Sequence, residues 1–189
     1  MQRRIKGALL LIFILLLSNL NISQSSAALS IGSNTGNYVS TTGGGGLGTY
    51  SCAAQSVLTG VGGWNTPFDG SYALTQVTAN CGTLSANGLS IASTSYYLGG
   101  PFGSTAGSSG MSDGTCGSNG STKAITGARV YKTASGYTTG LQVQCGTLPL
   151  GSSRSFASYV LGNSSSTYED IQCATNSVAY GLYVYYGGI

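Results

Sequence analysis

Two cysteine pairs share one spacing, and that constrains the fold most. Cys52 and Cys81 lie 29 positions apart, as do Cys116 and Cys145, and each second cysteine opens the same tetrapeptide, Cys81-Gly82-Thr83-Leu84 and Cys145-Gly146-Thr147-Leu148. Equal spacing in an identical context marks an internal repeat. Further blocks recur around it: Leu58-Thr59-Gly60 and Ile125-Thr126-Gly127 after the first cysteines, then Ser95-Tyr96-Tyr97-Leu98-Gly99 and Ser158-Tyr159-Val160-Leu161-Gly162. Cys173 precedes a weaker copy, Ala179-Tyr180-Gly181, and Gly181 follows Cys173 at the interval that separates Gly60 from Cys52. Tyr38-Val39 precedes Cys52 as Tyr159-Val160 precedes Cys173. The chain therefore reads as three units, at about 38–81, 96–145 and 159–189. The third is incomplete, stopping at Gly187-Gly188-Ile189 where the others begin their last strand. The Gly/Ser-rich insertion at 102–117 reads as a surface loop.

The pattern within the units is that of strands. Val77, Ala79 and Cys81 alternate with Gln76, Thr78 and Asn80, and Leu141, Val143 and Cys145 with Gln142 and Gln144. Period-2 alternation predicts strands with one buried face. The 31 glycines fit short strands joined by tight turns, and no helical periodicity is sustained beyond residue 27. Each unit carries about four strand signals, and three half-buried sheets would cover their apolar faces by sharing one core.

The N-terminus has a basic start (Arg3, Arg4, Lys6), an apolar run at 8–17 and a small-residue end at Ser25-Ser26-Ala27. This predicts a secretory signal peptide over 1–27. The apolar run is shorter than the roughly 20 residues a membrane span takes, and no second such run follows. A mature domain of 28–189 would carry four cations (Lys123, Arg129, Lys132, Arg154) against four anions (Asp69, Asp113, Glu169, Asp170). Near-zero net charge leaves no basic stripe to neutralise phosphates, so nucleic acid is excluded as a partner. An oxidising compartment and the matched spacing predict disulfides Cys52–Cys81 and Cys116–Cys145, each worth about 3 kcal/mol in the chain-entropy account. Cys173 is left unpaired or joins another chain.

The run Asp69-Gly70-Ser71-Tyr72-Ala73-Leu74-Thr75-Gln76-Val77-Thr78-Ala79-Asn80-Cys81 resembles the strand motif of the vitelline membrane outer layer proteins, an acidic residue before Ala-Leu, then an aliphatic residue, then Cys. Cys52 followed by Leu58-Thr59-Gly60 resembles that family's cysteine and small-residue strand. The likeness covers most of the mature chain as repeat layout. It implies an all-β fold, a β-prism of three antiparallel sheets about a pseudo-threefold axis, and an extracellular coat or matrix role with affinity for sugars. The second unit departs from the motif, with Tyr137-Thr138-Thr139-Gly140-Leu141 where the first has the acidic Ala-Leu block. Jacalin-type lectins share the prism, and the glycine run 43–46 resembles their glycine-rich ends, but the Gly-x-x-x-Asp sugar loop is missing near the C-terminus.

Candidate chemistry is sparse. The chain has no histidine, which removes histidine bases and Ser-His or Cys-His pairs, and no Cys-x-x-Cys, which argues against a metal. No catalytic residue and no cofactor is assigned. A glycan-processing enzyme would need two carboxylates flanking one bond, drawn from the same four anions. Sugar binding asks for aromatic faces beside polar groups. Trp64, in the loop-like Gly62-Gly63-Trp64-Asn65-Thr66-Pro67, and nearby Asp69 are the candidates, although Tyr and Trp more often fill β cores. Asn119 and Asn163 open sequons. The leading expectation is a secreted structural or interaction protein of a coat or matrix, with extracellular glycans or coat proteins as partners. A soluble lectin is the alternative. The strand near 179–186 needs cover, and the segment Ala28-Leu29-Ser30-Ile31 is expected to supply it. The rival expectation is that the natural protein continues beyond residue 189 to a sixth cysteine.

Overall fold

The computed structural model describes residues 46–68, 71–95, 102–103, 114–134, 136–149 and 151–186. Among them every regular element is a strand. Two long hairpins carry the architecture. The first joins β2 (Ser56–Phe68) to β3 (Ser71–Leu84), and the second joins β7 (Lys123–Lys132) to β8 (Thr138–Thr147). Each lies in a five-stranded antiparallel sheet of matching layout. In the first sheet β4 (Ile91–Ser95) and β5 (Phe102–Gly103) pair with β3, while β6 (Gly114–Thr115) pairs with β2. In the second, β9 (Ser152–Phe156) and β10 (Leu161–Gly162) pair with β8, while β11 (Thr167–Gln172) pairs with β7. A third sheet holds β1 (Gly46–Ser51) against β12 (Gly181–Tyr186).

The repeat sets how the sheets connect. The strand leading into each first cysteine lies against the strand that follows the cysteine of another unit, and its register is the same each time. Thr115, just before Cys116, faces Gly60; Gln172, just before Cys173, faces Gly127; Ser51, just before Cys52, faces Gly181. One hydrogen bond recurs with it. Cys116 N–H donates to Thr59 C=O (2.7 Å), Cys173 N–H to Thr126 C=O (2.9 Å), and Cys52 N–H to Tyr180 C=O (2.8 Å). The inner ends of these strands meet directly: Leu58 N–H donates to Ala179 C=O and Ala179 N–H to Ile125 C=O.

The Leu-Thr-Gly and Ile-Thr-Gly blocks are β-bulges. The register slips between Leu58 and Gly60 and again between Ile125 and Gly127, leaving Thr59 and Thr126 as the extra residues. Both hydroxyls donate across the hairpin, to Asn80 C=O and Gln144 C=O. The glycine is needed because the incoming strand crosses over it. A Cβ at Gly127 would fall inside contact distance of Ile171 C=O, and one at Gly181 inside that of Tyr50 C=O.

Three of the four residues of the repeated tetrapeptide have fixed places in the fold. Cys81 bonds to Cys52 and Cys145 to Cys116. At the next position a side chain would collide with a threonine methyl, 2.6 Å from Thr59 Cγ2 at Gly82 and 2.5 Å from Thr126 Cγ2 at Gly146. Thr83 is exposed and Thr147 half-exposed. Leu84 and Leu148 pack into a small cluster with Val57, Ile91, Ala124 and Val178. The larger core draws on all three sheets: Tyr50 and Leu182 from the third, Leu58, Val61, Ala79 and Cys81 from the first, Ile125, Val143, Cys145 and Leu161 from the second.

Three expectations change. The span 102–117 contributes β5 and β6 to the first sheet rather than a loop alone. The segment around Trp64 lies inside β2, because the hairpin continues past a second bulge between Trp64 and Asn65. The polar face of β3 is buried with the apolar one: Gln76, Thr78 and Asn80 are at most 5% exposed. β12 is paired on one side with Gly46–Ser51; residues 28–31, expected to close this sheet, lie outside those described. The N-terminal side of the domain still closes on its C-terminal side, through a strand nearer Cys52.

Gly127→Ala should lower stability by about 1–3 kcal/mol, as overpacking of a fixed contact does, measured by urea denaturation. Ala at Gly120, where nothing lies within 4 Å, should cost less than Gly127→Ala, its cost arising from the positive φ of +81° rather than from a clash.

Candidate functional site

Charge is concentrated on one strand pair. Arg129 and Lys132 on β7 pair with Asp170 and Glu169 on β11, and with Lys123 at the start of β7 this strand pair carries five of the eight charged side chains that follow residue 27. Arg129 Nε donates to Asp170 Oδ1 (2.7 Å) and Nη2 to Oδ2 (2.8 Å), the two-pronged geometry a planar guanidinium favours. Its plane lies between two rings, with Cζ 3.9 Å from the centroid of Tyr168 and 4.4 Å from that of Phe156. Tyr131 meets Tyr168 edge-on at 6.1 Å and donates its hydroxyl to Gln142 Oε1 (2.9 Å). Gln142 Nε2 in turn donates to Ala157 C=O. Lys132 is buried, with its ammonium 2.8 Å from Glu169 Oε1.

The hydrogen bonds from Arg129 hold the Asp170 carboxyl below the usual carboxylate range, and the same contact raises the guanidinium. Period-2 spacing builds the cluster: Arg129 and Tyr131 share one face of β7, and Tyr168 and Asp170 share one face of β11. That alternation was present in the sequence, but pairing β7 with β11 required the cross-unit register. Tyr168 stays about half exposed at 47%, so the cluster presents one ring to solvent.

Trp64 is half-buried in β2 opposite Gln76, as Tyr131 in β7 is opposite Gly140, each directly before a bulge. The two aromatics thus hold corresponding places in the two hairpins, and Tyr131 is buried. Asp69 and Asp113 lie outside the described residues. Trp64 belongs to the first sheet and the charged cluster to the second. Asn119 is exposed in the turn after Cys116, its Oδ1 accepting from Thr94 Oγ1 (3.2 Å). Asn163 is exposed, while its backbone is fixed by two bonds with Thr139. Among the described residues no group of His, Cys, Asp or Glu is placed to hold a metal ion, and no helix is long and apolar enough to cross a membrane.

Cys173 is the free cysteine. Burial pushes its thiol up, against a smaller opposing pull from Arg154. Arg154 braces this corner, donating to the carbonyls of Gly151, Cys173 and Ala174. The two disulfides fit an extracellular or otherwise oxidising environment. Comparison with known proteins finds no matching family model, curated protein or solved structure.

The depressed Asp170 carboxyl fixes a sign. Its folded pKa lies below its unfolded value, so its contribution is full above about pH 4 and is lost as pH falls toward the folded value. Asp170→Asn should flatten the acid limb of the stability curve, read as the midpoint of urea unfolding between pH 2 and 6. An unchanged acid limb would show the pair to be without weight.

Proposed function

We propose that this chain is a secreted structural or interaction protein of an extracellular coat or matrix, with glycans or coat proteins as its partners. The observation that carries the reading is how its reactive groups are used. Arg129 is engaged by Asp170 and Lys132 by Glu169, on a frame held by two disulfides and by the pairing of β1 with β12. Side chains tied to one another stiffen a surface and leave little for bond-making. The signal-like segment over 1–27 and the low charge support the same role.

The fold we propose is the β-prism, three sheets about a pseudo-threefold axis, in the manner of the vitelline membrane outer layer proteins. What supports it is the register Gly60↔Thr115, Gly127↔Gln172, Gly181↔Ser51, repeated once per sheet. A lectin is the second reading, favoured by the exposed ring of Tyr168 beside a charged and polar group.

Expression of the full chain in a secreting cell should release protein lacking residues 1–27, read by intact mass. A panel of extracellular polysaccharides should then separate the two readings. Retention on one polymer class, weakened about three- to tenfold by Tyr168→Ala as expected for loss of a ring contact, supports the lectin. Retention unaffected by Tyr168→Ala and Trp64→Ala, with assembly into insoluble coat material, supports the structural role. Turnover of a glycan, abolished by one Asp→Asn change, overturns both.

A further inference from the structure

The disulfides follow a rule that is broken once. Cys52, at the end of β1 in the third sheet, is bonded to Cys81 on β3 in the first. Cys116, at the end of β6 in the first sheet, is bonded to Cys145 on β8 in the second. Each bond staples one sheet to the next. Cys173, at the end of β11 in the second sheet, has the same backbone bond and the same register as its two counterparts. Its staple would have to reach a strand of the third sheet lying beside β12, where β3 lies beside β2 and β8 beside β7. Among the described residues β12 has a strand on one side only, β1.

Among the described residues the other side of β12 is a strand edge. Cys52 N–H bonds to Tyr180 C=O, so with Ser51 opposite Gly181 the groups of Tyr180 and Leu182 point to β1. By alternation along an antiparallel pair, the N–H and C=O of Gly181, Tyr183 and Tyr185 point away from it. The other four cysteines of the chain are already bonded, so any partner for Cys173 lies outside residues 1–189.

We propose that the edge of β12 facing away from β1 and Cys173 together form an acceptor site for an extended strand of a partner polypeptide, one carrying a cysteine in the setting that β3 and β8 provide, apolar-x-Cys-Gly-Thr. The strand pairs antiparallel to β12 with its cysteine opposite Ala179, as Cys81 lies opposite Leu58 and Cys145 opposite Ile125. The covalent step is thiol–disulfide exchange with a partner cysteine presented as a mixed disulfide. The Cys173 thiolate attacks the partner's sulfur, one S–S bond forms as another breaks, and the released small thiolate takes up the proton. Burial disfavours the Cys173 thiolate, so a thiol reagent that cannot dock reacts slowly. Strand pairing overcomes this by raising the local concentration of the partner sulfur. The inference rests on the observed register and bonding, and holds whether the coat or the lectin reading is right.

The test uses the intact secreted protein and a synthetic peptide of sequence Leu-Gln-Val-Gln-Cys-Gly-Thr-Leu, the sequence of β8 from Leu141 to Leu148. Its cysteine carries a thiopyridyl disulfide, and a scrambled peptide with the same activated cysteine is the control. The strand peptide should couple to Cys173 about 100-fold faster than the scrambled one, the gain that tethering through a second contact supplies. Release of thiopyridone gives the rate and peptide mapping gives the position. With Cys173→Ser the peptide should still protect the amides of Gly181 and Tyr183, which lie opposite its two glutamines, from hydrogen exchange. Equal coupling rates for the two peptides overturn the proposal, as does absent protection in Cys173→Ser. So does recovery from native material of Cys173 already bonded within its own polypeptide.

Discussion

One contact organises the structure: the strand entering Cys52, Cys116 or Cys173 lies across a strand of another unit, bulged in β2 and β7, with its carbonyl close to a glycine. At Gly127 and Gly181 no side chain fits beneath that carbonyl. The bulge aims the threonine carbonyl at the cysteine N–H, and the cysteine is thereby fixed within reach of its partner on the neighbouring hairpin. Backbone pairing, bulge and disulfide are thus parts of one junction. A wrong residue at the glycine would displace all three.

The junction also explains why few charges suffice. Strands handed from one unit to another cover one edge each of β2, β7 and β12, and a covered edge resists aggregation without the lysines and prolines that exposed edges need. The charged residues can then be gathered on β7 and β11, where Arg129 is flanked by two rings and paired with Asp170. A guanidinium held this way contributes packing as well as charge.

The all-β class and the cysteine spacing were legible because each depends on residues near in sequence. Leu141, Val143 and Cys145 alternate as a strand and do face the core. The burial of Gln76, Thr78 and Asn80 was not legible. Polar residues at alternate positions read as solvent-facing, and only the three-dimensional arrangement shows both faces covered. Trp64 read as a loop residue because Gly62, Gly63 and Pro67 surround it. A long hairpin with a bulge accommodates such residues inside a strand. The cluster around Arg129 was hidden for a third reason. Its halves come from strands some 40 positions apart, Arg129 and Asp170 being separated by 41, and nothing local announces which strand lies beside which.

The third sheet is where these constraints meet. A two-stranded sheet is marginal alone, yet β1 and β12 hold the two sides of the chain together. Their stability must come from outside the pair. Tyr50 is 5% exposed, packs in the shared core, and reaches Val77 C=O of the first sheet with its hydroxyl. Leu182 packs against the same core, and Cys52 anchors the end of β1 to β3. The sheet with the fewest strands is therefore held by the other two, through one disulfide and a tyrosine. Melting it would expose Tyr50, Leu182 and the inner ends of Leu58 and Ile125 together. Unfolding of the described region should for that reason be cooperative rather than sheet by sheet, because the weakest pair covers the core that the strongest pairs share.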